Sequence, residues 1–308
     1  MESCQIAIVG SGFAGTILAR AAYGRLYFSG WSKAQEARKA RFTRLRGLEA
    51  LVRRLPLGPA RRALLVKDLK VFLRDTAQWS QLLLLLALAL VYLYNFSVLD
   101  LDRLPYMSRM IKALYAFLNL GMAAFVTSAV AVRFVFPAVS AEGPAFWIVR
   151  TSPTGMHPFL WSKFWTGFVP ILILAEGLTV LSSRLLGVHP FLQVLSAAGI
   201  AFMTLALVGL AAGMGAQHPR FNAENPTQIA GSYGGVSFMV LAVLYILVTV
   251  VLLGLAARIY LRAHFYQIPI SPSGQVWMFV LFAFALGLSL LTFWLPMRRG
   301  VRALEELG

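Results

Sequence analysis

The 308-residue chain contains one cysteine, Cys4, four histidines, and 12 acidic residues against 28 Lys and Arg. A single thiol excludes an intrachain disulfide. His157, His189, His218 and His264 lie in four separate connections without paired spacing, three of them directly before prolines, so the pattern of a metal centre is missing. No GxxxxGK(S/T) occurs and no paired acidic residues close a strand-like run, so neither ATP hydrolysis nor other enzyme chemistry is expected in this chain. Past the first twenty or so residues no strand and helix patterns alternate, which removes the sheet that nucleotide-binding enzymes are built on. Basic charge without an aromatic stacking platform argues against nucleic acid as a partner.

What the chain has instead is apolar length. With 59% hydrophobic residues and a mean hydropathy of +0.72, it carries more apolar surface than a water-soluble core can hide, so lipid covers the excess. Six stretches, 80–98, 113–132, 165–181, 191–212, 236–257 and 276–295, are each about 17 to 22 residues long. At about 1.5 Å per residue they match a hydrocarbon core of about 30 Å. The expected fold is an all-α polytopic transmembrane bundle. Residues 20–77 form a basic elbow region, 78–297 the six-span domain and 298–308 a cytoplasmic tail.

Sorting Lys and Arg by the connections between these stretches gives 22 on one side and 6 on the other, which makes the richer side cytoplasmic and the site of the chain an inner membrane. Fifteen of the 22 lie between Arg20 and Arg74, so the orientation rests chiefly on the elbow. Anionic membrane lipids are the expected counter-surface for that charge. Within the elbow, Leu45, Leu48, Val52 and Leu55 recur at intervals of three or four opposite Arg46, Arg53 and Arg54, the pattern of a helix lying along the inner leaflet. Pro56-Leu57-Gly58-Pro59 breaks it, and a second helix resumes over 61–75.

The first residues read differently. An apolar run over 5–9 is followed by Gly10-Ser11-Gly12-Phe13-Ala14-Gly15, a GxGxxG that resembles the opening of a flavin- or nicotinamide-dependent oxidoreductase. The likeness ends within about twenty residues. Glu36, where an acidic strand end belongs, sits in a basic stretch with no strand-length apolar run. No cofactor is expected. The alternatives for 1–19 are a short seventh span, about 22 Å as a helix, or an N-terminal extension. A seventh span would put the N-terminus outside and suit a fragment or a fusion junction near Arg20.

The inside connection 133–163 concentrates features that suit a docking element. It holds Glu142-Gly143-Pro144, then Phe146, Trp147, Ile148 and Arg150, then Pro153 and Lys163. Pro144 fits near a helix start, with Glu142 at the positive end of the dipole, and Pro153 fits a stop. The apolar triplet needs a surface, either this chain's own spans or a partner.

Three sites carry a resemblance to the permease subunits of type-two ABC exporters, the family named "putative ABC exporter". They are Lys67-Asp68-Leu69-Lys70 before the first span, Glu142-Gly143 followed by Pro153 and Lys163, and His218-Pro219-Arg220-Phe221 followed by Glu224-Asn225-Pro226 and the glycines from Gly231 to Gly235. Together they cover about residues 65–240. The resemblance implies a coupling helix that sits in a groove of an ABC ATPase subunit, with Glu142, Gly143, Phe146, Trp147 and Arg150 in that position. It also implies a second inside loop with Phe221, Glu224 and Asn225, and a second permease copy or partner half.

Within the spans, Glu176 is the single acidic residue. An intramembrane carboxylate faces a protein interior or an aqueous path, so Glu176 belongs either to a translocation pathway or to a structural pair with Asn119 or Thr179. Gly209 with Gly213, and Gly231 with Gly235, have the GxxxG spacing of close helix contacts, within the chain or between copies. Two competing readings remain open: a secondary transporter or channel driven by an ion gradient, and a membrane-embedded enzyme.

Overall fold

The computed structural model describes residues 58–74, 109–152, 155–222, 226–267 and 271–307, together with 83, 87, 89–94 and 269. Residues 1–19, the amphipathic run from Leu45 to Leu55, most of the span expected over 80–98, Pro153, Glu224 and Asn225 lie outside the described residues. Every apolar run beyond residue 108 is helical, because hydrocarbon offers no water to backbone N–H and C=O groups and a helix satisfies them within the segment. The order is α1 (Pro59–Arg74), α2 (Arg109–Phe134), 3-10 turns at Phe136–Ala138 and Ser140–Ala145, α3 (Phe146–Thr151), α4 (Met156–Leu185), α5 (Pro190–Gln217), α6 (Pro226–Ala230), α7 (Tyr233–Tyr266) and α8 (Pro272–Glu306). No strand occurs among the described residues. Five segments, one each in α2, α4, α5, α7 and α8, are long and apolar enough to cross a membrane, so the chain is a multi-pass helical membrane protein.

The helices outrun the apolar stretches that announce them. α4 starts at Met156, not Trp165, and α8 continues through Glu306, so the expected tail is helical. With 30, 34 and 35 residues, α4, α7 and α8 reach about 45 to 52 Å and project past the hydrocarbon core. Polar caps set several starts. His189 Nδ1 accepts from the Phe191 amide at 3.3 Å with Pro190 in the first turn, and Ser271 Oγ accepts from the Gly274 amide at 3.2 Å ahead of α8.

α5 sits at the centre and touches α2, α4, α7 and α8. Its C-terminal half is almost entirely buried and rich in glycine and alanine. A Cβ on Gly213 would press into the Pro296 backbone, one on Gly209 into the Phe293 ring, and one on Gly300 would lie 2.8 Å from the Gly213 carbonyl oxygen. The α5 and α8 backbones therefore run in direct contact. Between lipid-solvated helices such contact rests on van der Waals packing, which small residues permit. The Gly209 and Gly213 pair thus packs helices of one chain. Gly235 instead abuts the Ala230 backbone at the corner between α6 and α7.

Gly213→Ala is expected to lower stability by about 1–3 kcal/mol, because its neighbour is backbone that cannot rotate aside. Gly177, with nothing within 4 Å of an added Cβ, should tolerate alanine without loss. Unfolding midpoints in a mixed-detergent titration compare the two.

Candidate functional site

Segments that the charge pattern assigns to the inside converge at one end of the bundle. Phe146, from the connection between α2 and α4, stacks on Phe221, from the connection between α5 and α7, at 4.5 Å between ring centroids. The Arg220 amide donates to Ser140 Oγ at 3.0 Å, and Arg150 Nη1 donates to the Leu307 carbonyl at 3.1 Å near the end of α8.

At this end four charged side chains form one cluster. Lys163 Nζ, from the second turn of α4, lies 2.7 Å from Asp68 Oδ1 and 2.6 Å from Glu142 Oε1. Lys67 Nζ donates to both Glu142 oxygens at 2.5 and 2.7 Å and lies 3.6 Å from Asp68. Two cations and two carboxylates leave no net formal charge. The side chains of Lys163, Asp68 and Glu142 are 8%, 10% and 11% exposed, whereas Lys67 is 40% exposed and closes the cluster on its wet side.

Local backbone geometry delivers each member. Lys67 and Asp68 are adjacent on α1, whose Leu64 packs against the main core. Glu142 projects from the 3-10 turn, where Gly143 takes φ +54°, ψ −140°, a conformation that glycine adopts without strain. The Phe159 ring lies one turn before Lys163, its centroid 5.4 Å from the ammonium. Burial by itself raises the Glu142 carboxyl, but the charges and hydrogen bonds of Lys163 and Lys67 outweigh it and hold the group below its ordinary value. Glu142 is thus engaged with α1 and α4, and α3 starts only at Phe146, with Pro144 inside the preceding turn.

α3 divides its apolar residues between two destinations. Phe146 is buried, stacked on Phe221 and edge-on to Phe159 at 6.0 Å. Trp147 and Ile148 are 63% and 54% exposed. The helix is therefore riveted to the bundle by its first residue and shows its next two to the outside. Arg150 reaches the end of α8 and Gly143 supplies the turn, while Glu224 and Asn225 lie outside the described residues.

Among the described residues Glu176 forms neither of the pairs, with Asn119 or with Thr179, that the sequence allows. Asn119 accepts from the Tyr92 hydroxyl and donates through Nδ2 to Ser182 Oγ at 2.8 Å, which joins α2 to α4 and to the helical residues 89–94. It does not pair with Glu176. Glu176 is half-buried and makes no hydrogen bond or ion pair among the described residues, and Thr179 Oγ1 is buried without a partner there. At the opposite end of the bundle the fold brings His189 and His264 to 5.1 Å between ring centroids, beside Tyr260. Their 75-residue separation hid that approach. Among the described residues no three His, Cys, Asp or Glu gather as a metal site.

A family model described as "Putative ATP-binding cassette" matches residues 5–308. The matched range takes in most of the GxGxxG-bearing apolar segment as well as the bundle. No curated protein matches the chain, and no solved structure matches it.

Lys163→Met leaves two carboxylates with only the half-solvated Lys67 between them and is expected to cost about 3–5 kcal/mol. Lys67→Met should cost distinctly less. Because the folded Glu142 group titrates below its unfolded value, the stability it lends is present above the ordinary carboxylate range and lost as pH falls through the folded value. Thermal midpoints measured from neutral to acidic pH should fall more steeply for the native chain than for Glu142→Gln.

Proposed function

The chain belongs to this ATP-binding cassette family, and we propose on that premise that it is the membrane-spanning permease of an ATP-driven exporter in the inner membrane, working with a separate ATPase subunit. What carries the reading is α3: a short helix at the inside-assigned end, anchored by Phe146 and offering Trp147 and Ile148 to a partner. Exposed tryptophan next to a buried anchor has the composition of an interface hot spot. The sequence holds no GxxxxGK(S/T) motif and the described residues no strand. Both features suit the membrane component of such a system.

In this mechanism ATP-driven closure of the ATPase pair displaces α3. Phe146 transmits the displacement to Phe221 and Phe159, Arg150 to the end of α8, and the Glu142–Lys163 pair to the base of α4. The charge cluster keeps α1, the turn at Gly143 and α4 moving as one body, so force reaches the spans without being absorbed in loop bending. A second copy or a partner half completes the pathway. Nucleotide state shifts the bundle only so far as the ATPase binds its two arrangements with different affinity.

The ATPase should copurify stoichiometrically in mild detergent. Trp147→Ala is expected to weaken ATPase binding by about 2 kcal/mol, roughly 30-fold in Kd, and to remove transport-coupled ATPase stimulation while leaving membrane insertion intact. Unchanged coupling overturns the assignment. So does transport driven by an ion gradient without any ATPase and abolished in Glu176→Gln.

A further inference from the structure

α5, α7 and α8 enclose a second feature, on the inner half of the bundle. It is a groove of about 450 Å³ walled by Leu241 and Leu244 of α7 and by Leu291 and Leu295 of α8, with Arg299 at its inner end. The four leucines are between 42% and 60% exposed, so the groove opens sideways to the surrounding lipid. Its floor is buried Leu210 and Met214 of α5. Along α8 the lining runs from Leu288 to Arg299, about 16 Å at about 1.5 Å per residue, which is the depth of one leaflet.

The deep end is closed. Tyr245 and Ser289 join their hydroxyls at 2.8 Å across α7 and α8. On the far side of that bond lies a separate cavity of about 210 Å³, lined by Ser289 and Thr249. The inner groove is therefore a pocket for one chain entering from one leaflet.

Arg299 is the sole charged group lining the groove, and it has no hydrogen-bond or ion-pair partner among the described residues. Gln217, which also lines the groove, spends its Nε2 on the Gly213 and Pro296 carbonyls at 3.1 and 3.3 Å. A guanidinium at the mouth of an apolar slot is complementary to a phosphate that carries a hydrocarbon tail, since its fork binds phosphate oxygens in pairs.

We propose that this groove binds an anionic phospholipid of the inner leaflet, with one acyl chain between α7 and α8 and the phosphate at Arg299. The inner-leaflet assignment rests on the same orientation as the permease reading, and nothing else in it does. A net-negative lipid is favoured over a zwitterionic one because its charge is not cancelled within the headgroup.

The test uses the full chain in nanodiscs containing a tail-diazirine phosphatidylglycerol or phosphatidylcholine, irradiated and mapped by mass spectrometry. Peptides covering 241–248 and 288–295 should be labelled about fivefold more by the anionic lipid, the equivalent of about 1 kcal/mol for one arginine near the surface. Arg299→Gln should abolish that preference, whereas Arg298→Gln, a residue outside the groove lining, should retain it. Leu244→Trp should reduce labelling by both lipids. Equal labelling by the two lipids, a preference that survives Arg299→Gln, or no adducts on these peptides overturns the proposal. No ATPase is present in the assay, so its failure leaves the permease reading standing, and failed ATPase coupling leaves the lipid site standing.

Discussion

Lys163 stands at the base of an apolar bundle, where an ammonium is tolerated only if carboxylates reach it. The chain meets that constraint from two directions: Asp68 arrives from 95 residues away and Glu142 from 21. Much of the inside-assigned end follows from it. α1 must lie against α4 to deliver Asp68, and the chain must turn at Gly143 after presenting Glu142. Once that turn is made, α3 leaves in a direction that puts Phe146 on Phe221 and Trp147 outward. Four charges that cancel are a poor source of net stability, because desolvation consumes most of their attraction, but they tie together α1, the turn before α3 and α4.

A second constraint acts deeper, where charge is absent. α5 and α8 touch through backbone, with Gly213, Gly300 and Pro296 leaving no side chain between them. Contact that close makes α8 an extension of the buried α5. Arg150 is bonded to the end of this same helix, α8. The groove between α7 and α8 belongs to the same geometry: α5 supplies its floor, and the Tyr245–Ser289 hydroxyl pair stops it at mid-depth.

The spans after residue 108 were legible because hydrocarbon admits few solutions and apolar length reports them directly. Their ends were not. Hydropathy drops at Lys163 and at Arg298, yet α4 and α8 run through both positions, since a helix needs no apolar surroundings once its charges are paired or wetted. The His-Pro dipeptide at 189–190 reads as a turn, and in the fold it caps and starts α5. Glu142 was legible as a distinctive residue but not as a member of an ion cluster, because sequence spacing says nothing about which distant lysine lies across from it. A pair with Asn119 was one of the alternatives the sequence left open for Glu176, and the fold gives Asn119 to Tyr92 and Ser182 instead.

Composition and periodicity by themselves determined that the chain is a helical membrane bundle, because burying so much apolar surface in water is not an available state. They also singled out the residues of α3 as unusual for a loop. Tertiary structure alone decided that Phe146 is an anchor and Trp147 is not, that Lys67, Asp68, Glu142 and Lys163 are one neutral unit, and that Arg299 overhangs an apolar groove. The division has a simple cause. Transfer of a segment into lipid depends on that segment's own residues, whereas pairing of charges and matching of surfaces depend on residues that only the folded chain brings within a few ångströms.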